Sequence, residues 1–388
     1  MRVLHVIPSL SLVHGGPSRA IDLIERSIQN FNVEMEVATT DDDGPGKRVC
    51  VHQLNSTKAR HYFPKRTEFY KISPAMALWL FKHICDYDVV HIHSLFSFSS
   101  LVAAWAAGLS GVPFIIRPLG TLSQYGIKKR RPWLKQISIK LFEGPILRSA
   151  SLVHFTAEAE RVEAEALGIP FRSTVIPLAV NSEVIYDDKI IYDHYPVLRK
   201  GRYLLFLSRL DPKKNVEGLL RALVKLSDQY PDLKLVVAGD GAPDYVSGLK
   251  QLAQMLGISS RVVWVGFIDG ELKTSALKGA HVFVLPSYSE NFGVAAAEAL
   301  MAGLPCVLGQ GVAIAAEVER VGAGVVVNTE ETSIAEGVRH YLESKELKVQ
   351  AGEAAVALAN REFSLDTMGE RLVGLYRSVC RSRKKRLT

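Results

Sequence analysis

The sequence predicts an α/β protein made of two Rossmann-like, doubly wound domains facing a central cleft, and three observations carry that expectation. Short β-branched runs alternate with longer helical patterns along the whole chain, which argues for parallel sheets built from strand-helix-strand units. The 388 residues exceed the roughly 250–300 at which a single core stops growing. The rhythm breaks once, in "NSEVIYDDKIIYDHYPVLRKG" (181–201), which is polar, aromatic and without clear periodicity. That stretch fits a linker and places the domain boundary near residues 185–200.

In the first half, strands are expected at 2–8, 33–40, 49–54, 88–94, 113–120, 151–157 and 173–180. The second half repeats the pattern at 202–210, 233–240, 262–269, 281–287, 305–310 and 323–328. Domain one therefore spans 1–185 and domain two 200–362, followed by an amphipathic helix, "FSLDTMGERLVGLYRSV", and a basic tail over 363–388. Open parallel sheets bind ligands beyond the carboxyl ends of their strands, and a cleft between two of them suits a small molecule.

Composition narrows the class. Hydrophobic residues make up 48% and charged residues 22%, the balance of a soluble globular protein, so wholesale disorder is excluded. No apolar run reaches the roughly 18–20 residues of a membrane span, and the amino terminus runs straight into a strand pattern, so a cytoplasmic protein is expected. Cys50, Cys85, Cys306 and Cys380 are scattered, without the close pairs of a zinc or redox motif. The net charge of +7 comes largely from "KKRRPWLK" (128–135) and the tail "RSRKKRLT" (381–388). Such runs are often only solvated ends; the functional reading is attraction to an anionic membrane surface or an acidic acceptor. No nucleic-acid module accompanies them, so nucleic acid is not an expected partner.

Several short stretches point to chemistry. After the first strand, Gly15-Gly16-Pro17-Ser18 leads into a helix; glycines admit a ligand close to the backbone, and the helix start offers N–H groups to an anion. The bland alternative is a flexible turn. In "LSRLDPKKN" (207–215) a strand ends in Arg209 and a short loop carries Lys213 and Lys214, cations of the kind a diphosphate leaving group needs. "VVAGDGAP" (236–243) has Gly239 and Gly241 but Asp244 where a third glycine would complete a dinucleotide fingerprint, so a nicotinamide site is not expected. In "SENFGVAAAEALMAGLPCVLG" (289–309), Glu290 lies just outside a helix expected to begin near Asn291-Phe292-Gly293, and Glu298 about two turns in. Carboxylates in so apolar a setting need donors, which sugar and ribose hydroxyls supply; a charge cap and a surface salt bridge are the alternatives. His91 and His93 share a strand face, but a lone His-x-His without an acidic partner is more often structural, and no metal site is expected. His93, nearer the strand's carboxyl end, is the expected cleft residue.

Taken together, "HGGPSRA", "DVVHIHS", "SRLDPKKN", "LVVAGDG", "VVWVGFI" and "PSYSENFGVAAAEALMAGLPCV" resemble the retaining nucleotide-sugar glycosyltransferases of group 1 (family 4), over nearly the whole chain. The resemblance implies the GT-B fold and transfer of a sugar from a nucleotide diphosphate sugar to a polysaccharide, lipopolysaccharide or other lipid-linked precursor at the inner membrane face. It implies front-face attack with no protein nucleophile, no metal and no cofactor beyond the donor substrate, and catalysis carried largely by stabilising the leaving diphosphate. By the same resemblance Glu290 holds the donor sugar's hydroxyls and Glu298 the ribose. Arg209 and Lys214 grip the diphosphate, with Gly16, beside Gly15, on the phosphates. The backbone around Gly266 and Phe267 meets the base, and Asn291, Phe292 and Gly293 complete the donor site. The family's histidine after the fifth strand aligns with Leu119, so Arg117 or His93 is the expected substitute on the acceptor side. The carboxyl-terminal helix is expected to cross back to the first domain.

Three rivals make different predictions. A metal-dependent transferase of the other common fold would use Asp41 and Asp43 of "TTDDDGPG" as its Asp-x-Asp motif and lose activity in a chelator. A nucleotide-sugar epimerase of the same architecture would form product without acceptor. A non-catalytic nucleotide-sugar-binding protein would bind without turnover.

Overall fold

A computed structural model describes the chain except for residues 12, 14–15, 50–58, 124–126, 128–131, 182–188 and 388, and gives no side-chain description for 132 and 382–387. Gly15, nearly all of the expected strand 49–54 and the first half of the basic segment 128–135 lie outside the described residues, as do the side chains of the tail beyond Arg381. The chain divides into two compact units, one formed by Met1–Ala179 with Leu365–Thr388 and the other by Val180–Ser364.

The first unit is built on seven parallel strands: β1 (Arg2–Ile7), β2 (Glu34–Thr40), β3 (Arg60–Phe63), β4 (Val89–His93), β5 (Phe114–Arg117), β6 (Leu152–Phe155) and β7 (Ser173–Val175), in the order β3-β2-β1-β4-β5-β6-β7. The order reverses between β1 and β4, the switch point at which such sheets open a crevice. β3 was not among the expected strands. Its sequence, Arg-His-Tyr-Phe, hides it, because an edge strand is free to be polar. Arg60 binds Asp22 at 2.6 Å and His61 contacts Glu36 at 2.8 Å. β7 ends at Val175, ahead of Pro177, where a run to 180 was expected.

The second unit has six parallel strands, β8 (Tyr203–Leu207), β9 (Lys234–Ala238), β10 (Val262–Gly266), β11 (Val282–Leu285), β12 (Cys306–Gly309) and β13 (Gly324–Val327), ordered β10-β9-β8-β11-β12-β13. Its switch point lies between β8 and β11. Part of the expected linker belongs to this unit: the helix Lys189–His194 is tied into it by Ile191 N–H donating to Ser275 Oγ at 2.9 Å and Tyr192 Oη–H donating to the Gly279 carbonyl at 3.2 Å.

The two faces of the first sheet differ in chemistry. One carries Leu4, Val6, Val90, Ile92, Ile116, Val153 and Phe155 against the helices Pro74–His83 and Phe98–Leu109, an apolar core. Alternation puts His5, His91, His93, Arg117 and His154 on the other face, with His5 in register with His91 and His93 with Arg117. The carboxyl-terminal helix Leu365–Leu387 packs on the helix Gly16–Ile28 and brings Tyr376 onto this polar face. Gly369 permits the close approach, since a Cβ there would lie 2.0 Å from the Ser27 carbonyl oxygen. No helix among the described residues is long and apolar enough to cross a membrane.

Candidate active site

Beyond β8 the chain enters a built turn. Asp211 accepts the Lys213 N–H at 3.1 Å and opens a single 3-10 turn, Pro212–Lys214, and Asn215, in the left-handed region at φ 56°, ends it. Asn215 then caps the next helix, Val216–Ser227, its Oδ1 accepting from Gly218 N–H at 3.2 Å. Lys214 is consequently buried, at 4% exposure, while Arg209 stays exposed. Burial, then Lys213 and Arg209, pull the Lys214 ammonium down to about 7, with Asp211 opposing.

The loop after β11 is stitched to this turn. Tyr288 N–H donates to the Lys213 carbonyl at 2.8 Å, and Tyr288 Oη–H donates to Asn215 Oδ1 at 3.3 Å. Glu290 is held through its main chain: its N–H donates to Gly311 O at 2.8 Å and its carbonyl accepts from Ala313 N–H at 3.1 Å. Its carboxylate lies directly against Lys214 Nζ. Gly293, at φ 94°, is the turn into the helix Val294–Met301; a Cβ there would be strained and would lie 3.1 Å from Val312 Cγ1. The helix therefore starts at Val294, later than expected, and Glu298 is its fifth residue, little more than one turn in. Phe292, expected beside the donor, points inward instead: it is 3% exposed, with its ring edge-on to Phe363 at 5.5 Å. An apolar ring gains more from that core than from a polar ligand.

Glu298 has a partner that sequence reasoning missed. Lys273, on the helix Gly270–Gly279, contacts its Oε1 at 2.8 Å. Nothing in "GELKTSALKG" distinguishes Lys273 from a solvated lysine until the fold brings its helix beside the glutamate. At the end of β10, Gly266 has φ 66° and its carbonyl accepts from Gly239 N–H at 2.7 Å, while Phe267 stands 63% exposed. Arg209, Lys214, Gly266, Phe267, Glu290 and Glu298 thus all lie on or just past the carboxyl ends of the second sheet's strands, or on the helix that follows. Cations meet carboxylates there at two points, Lys214 with Glu290 and Lys273 with Glu298.

The residues expected from the first unit, Gly16 on the donor phosphates and Leu119, Arg117 and His93 on the acceptor side, behave differently. Gly16 is the exposed first residue of its helix. Leu119 is half-buried and left-handed, at φ 58°, in a turn anchored by Glu160, whose carboxylate accepts from Gly120 N–H at 2.8 Å and Thr156 N–H at 2.9 Å. Arg117 and His93, the expected substitutes for a surface histidine, are instead inside the first unit, at 1% and 0% exposure. Their side chains lie on the sheet face that the carboxyl-terminal helix covers, which no local pattern reveals.

These two belong to a chain of hydrogen bonds whose direction is forced by its end. The Ile176 carbonyl can only accept, so His154 Nε2 donates to it at 2.9 Å and His154 Nδ1 must accept from His91 Nε2 at 3.3 Å. His91 Nδ1 then accepts from Tyr376 Oη–H at 3.0 Å, and the Tyr376 oxygen accepts from His5 Nε2 at 3.3 Å. His5 Nδ1 accepts from His93 Nε2 at 2.9 Å, which leaves His93 Nδ1 as a bare acceptor, and it has no partner among the described residues. Burial and the nearby Arg117 hold His5 and His154 at about 3, and burial lowers Arg117 itself to about 10. His5, His91 and His93 are the one group among the described residues compact enough to hold a metal ion. The bonds above occupy five of their six nitrogens, and Arg117 adds positive charge beside them. The Asp-x-Asp alternative is likewise taken up structurally. Asp41 accepts from Lys65 N–H at 2.7 Å, Asp43 from Ser11 Oγ–H at 2.6 Å, and Asp42 pairs with Lys65 and Lys71.

Comparison with known proteins gives a consistent picture. Residues 193–357 match the family profile described as glycosyl transferases group 1, and residues 15–179 match the glycosyl transferase 4-like domain. The chain is 28% identical over 266 residues to a phosphatidyl-myo-inositol mannosyltransferase of Mycobacterium tuberculosis, covering 65% of this chain and 66% of that one. It is 30% identical over 179 residues to the alpha-D-kanosaminyltransferase of Streptomyces kanamyceticus, covering 45% of each. It is 39% identical over 107 residues to an uncharacterized glycosyltransferase of Methanocaldococcus jannaschii, covering 28% of this chain and 27% of that one. The matches thus span from about a quarter to about two thirds of these curated relatives' lengths. Among solved structures, Anabaena Alr3699/HepE in complex with UDP and glucose aligns at a TM-score of 0.79 and 19% identity, over 97% of this chain and all of that one. Sucrose-phosphate synthase from Thermosynechococcus elongatus aligns at 0.78 and 17%, over 98% of this chain and all of that one.

Proposed function

This chain belongs to the glycosyl transferases group 1 family and has a two-domain Rossmann-like GT-B fold, and we propose that it transfers a sugar from a nucleotide diphosphate donor to a glycan or lipid-linked acceptor. The observation that carries the proposal is the buried Lys214 ammonium against Glu290, at the carboxyl end of β8 and beside exposed Arg209.

The chemistry follows from charge. Breaking the bond from the sugar's anomeric carbon to the diphosphate oxygen leaves negative charge on the phosphate, and preorganised cations in a partly dry site stabilise it more than water does. Arg209 offers a planar fork of donors and Lys214 a compact charge. A donor in this site takes over Lys214, and the carboxylate of Glu290, whose backbone is fixed by two main-chain bonds, turns to the sugar hydroxyls. Lys273 on Oε1 of Glu298 leaves the second oxygen to accept from a ribose hydroxyl. The acceptor hydroxyl oxygen bonds to the anomeric carbon on the face from which the diphosphate leaves, and its proton passes to the departing phosphate; attack on that face retains the anomeric configuration without a protein nucleophile and without a metal ion. The relatives and structural neighbours named above, which include a phosphatidyl-inositol mannosyltransferase and a UDP complex, support a nucleotide-sugar donor. The basic runs support an acceptor presented at an anionic membrane face.

A thermal-shift panel of UDP-, GDP- and ADP-sugars against wild type and Glu298→Ala tests this reading. One donor class should stabilise the wild type and lose most of that effect in the variant; no stabilisation by any of them overturns the donor-site assignment.

A further inference from the structure

The segment Pro132–Ser149 runs as a helix, a π turn over Ile139–Glu143 and a second helix without a break. Inward it packs Ile146 and Leu147 into the core, and its outward side is apolar as well, unlike that of an ordinary surface helix. It also buries a carboxyl: Glu143 is 1% exposed, its Oε1 accepting from Phe96 N–H at 3.1 Å and Ser138 Oγ–H at 3.4 Å. Outward it presents Trp133 at 63%, Ile137 at 49%, Leu141 at 59% and Phe142 at 40% exposure. Trp133, Ile137 and Leu141 recur every fourth residue and so share a side, and the π turn, one residue wider than an α turn, leaves Phe142 exposed next to Leu141.

Charge identifies what covers this stripe. From 128 to 148 the sequence has seven basic residues, Lys128, Lys129, Arg130, Arg131, Lys135, Lys140 and Arg148, and a single acidic one, the buried Glu143. Lys140 and Arg148 are exposed on the same helical segment as the apolar side chains. A second copy of the chain would set this charge against itself, which disfavours a symmetric dimer here. A surface that is apolar beneath and negative at its boundary fits both features.

We propose that Pro132–Ser149 is a membrane-docking element, with Trp133, Ile137, Leu141 and Phe142 entering the headgroup boundary of an anionic bilayer while the flanking basic side chains meet lipid phosphates. This rests on the membrane-face reading given under the proposed function and adds an apolar insertion to the charge attraction on which that reading stands. The acceptor would then be a lipid-borne glycan met at the bilayer surface.

The test is flotation of the full chain with phosphatidylcholine vesicles containing or lacking about 30% phosphatidylglycerol, in about 0.15 M salt, for wild type and the triple variant Ile137→Ser/Leu141→Ser/Phe142→Ser. The three side chains are about half exposed, so the fold should survive the exchange with only a small drop in melting temperature, which the same samples check. Wild type should float with anionic vesicles only, and the triple variant should bind at least about tenfold more weakly. Tryptophan emission should shift to the blue on binding, and Trp133→Phe should remove the shift. Equal flotation of the triple variant, or no Trp133-dependent shift, would show that charge alone acts and overturn the insertion. Failure of the wild type to float would overturn the membrane reading altogether, while the donor panel would still judge the transferase reading by itself.

Discussion

Lys214 and Glu290 touch, although they come from opposite sides of the second sheet's switch point, one from the turn after β8 and the other from the loop after β11. The contact binds together the two elements that meet the reacting end of the proposed donor. Without Glu290, a buried ammonium crowded by Lys213 and Arg209 would keep only the weaker opposing effect of Asp211 until the diphosphate arrived.

Replacing Glu290 by Gln keeps shape and removes charge. The expected result is a kcat lower by about 10²–10³-fold with donor affinity within a few-fold of wild type. Isothermal titration with the donor alongside steady-state kinetics separates the two. Equal turnover by wild type and Glu290→Gln would remove this residue from the catalytic assignment.

Glu298 and Lys273 should act on binding. Lys273→Met leaves Glu298 without its partner, and a lost charged hydrogen bond corresponds to roughly tenfold in affinity. Donor KM should rise by about that factor with kcat nearly unchanged, and Lys273→Arg should recover most of the loss. A matching fall in kcat would place Lys273 in the chemical step instead.

Burial, then Lys213 and Arg209, pull the Lys214 ammonium down toward about 7, against the raising effect of Asp211, so its charge is complete at lower pH and is lost as pH rises through the shifted value. kcat/KM should accordingly decline between about pH 7 and 9. Lys214→Arg, charged throughout this range, should flatten the decline even where its absolute rate is lower. A profile of identical shape in both proteins would exclude Lys214 as the titrating group.

The buried histidines predict an acid-labile first unit. His5 and His154 are held at about 3 against an unfolded value of 6.5. Between these values the unfolded chain binds protons that the folded one does not, so stability rises with pH. Their contribution is full above about pH 6.5 and is lost progressively as pH falls toward 3. Melting temperature should therefore drop below pH 6.5, and Tyr376→Phe, which breaks the hydrogen-bond chain at its middle, should lower it at every pH. A melting temperature flat from pH 7 to 4.5 would contradict this account.

Two glycines should be intolerant for different reasons. Gly293→Ala strains a left-handed residue beside Glu290, and Gly369→Ala drives a methyl into the Ser27 carbonyl. Each should cost about 1–3 kcal/mol in urea unfolding. Gly369→Ala should in addition free the carboxyl-terminal helix to proteolysis, whereas Gly248→Ala, with open space around it, should be neutral or better.

The positions of the second unit's candidate site residues were legible because they are set locally. Arg209, Lys214 and Glu290 follow strands whose β-branched runs announce themselves, and a residue placed just past a parallel strand's carboxyl end is already placed at the ligand-binding edge. The same logic misled for Arg117 and His93. They too end strands, but a strand end has two faces, and which face meets solvent depends on what packs against the sheet. The covering residue, Tyr376, lies 285 positions from His91 in sequence.

By itself the sequence determined the two parallel sheets, the order of strands and helices within most of each, and the placing of Arg209, Lys214, Glu290 and Glu298 after strands, because hydrophobic period and turn chemistry act over a few residues. Only the tertiary structure decided which charges are paired, as in Lys273 with Glu298, which polar side chains are buried, and that Trp133, Ile137, Leu141 and Phe142 face outward. Those outcomes depend on contacts between segments far apart in the chain, and a side chain's surroundings are fixed only once those segments meet.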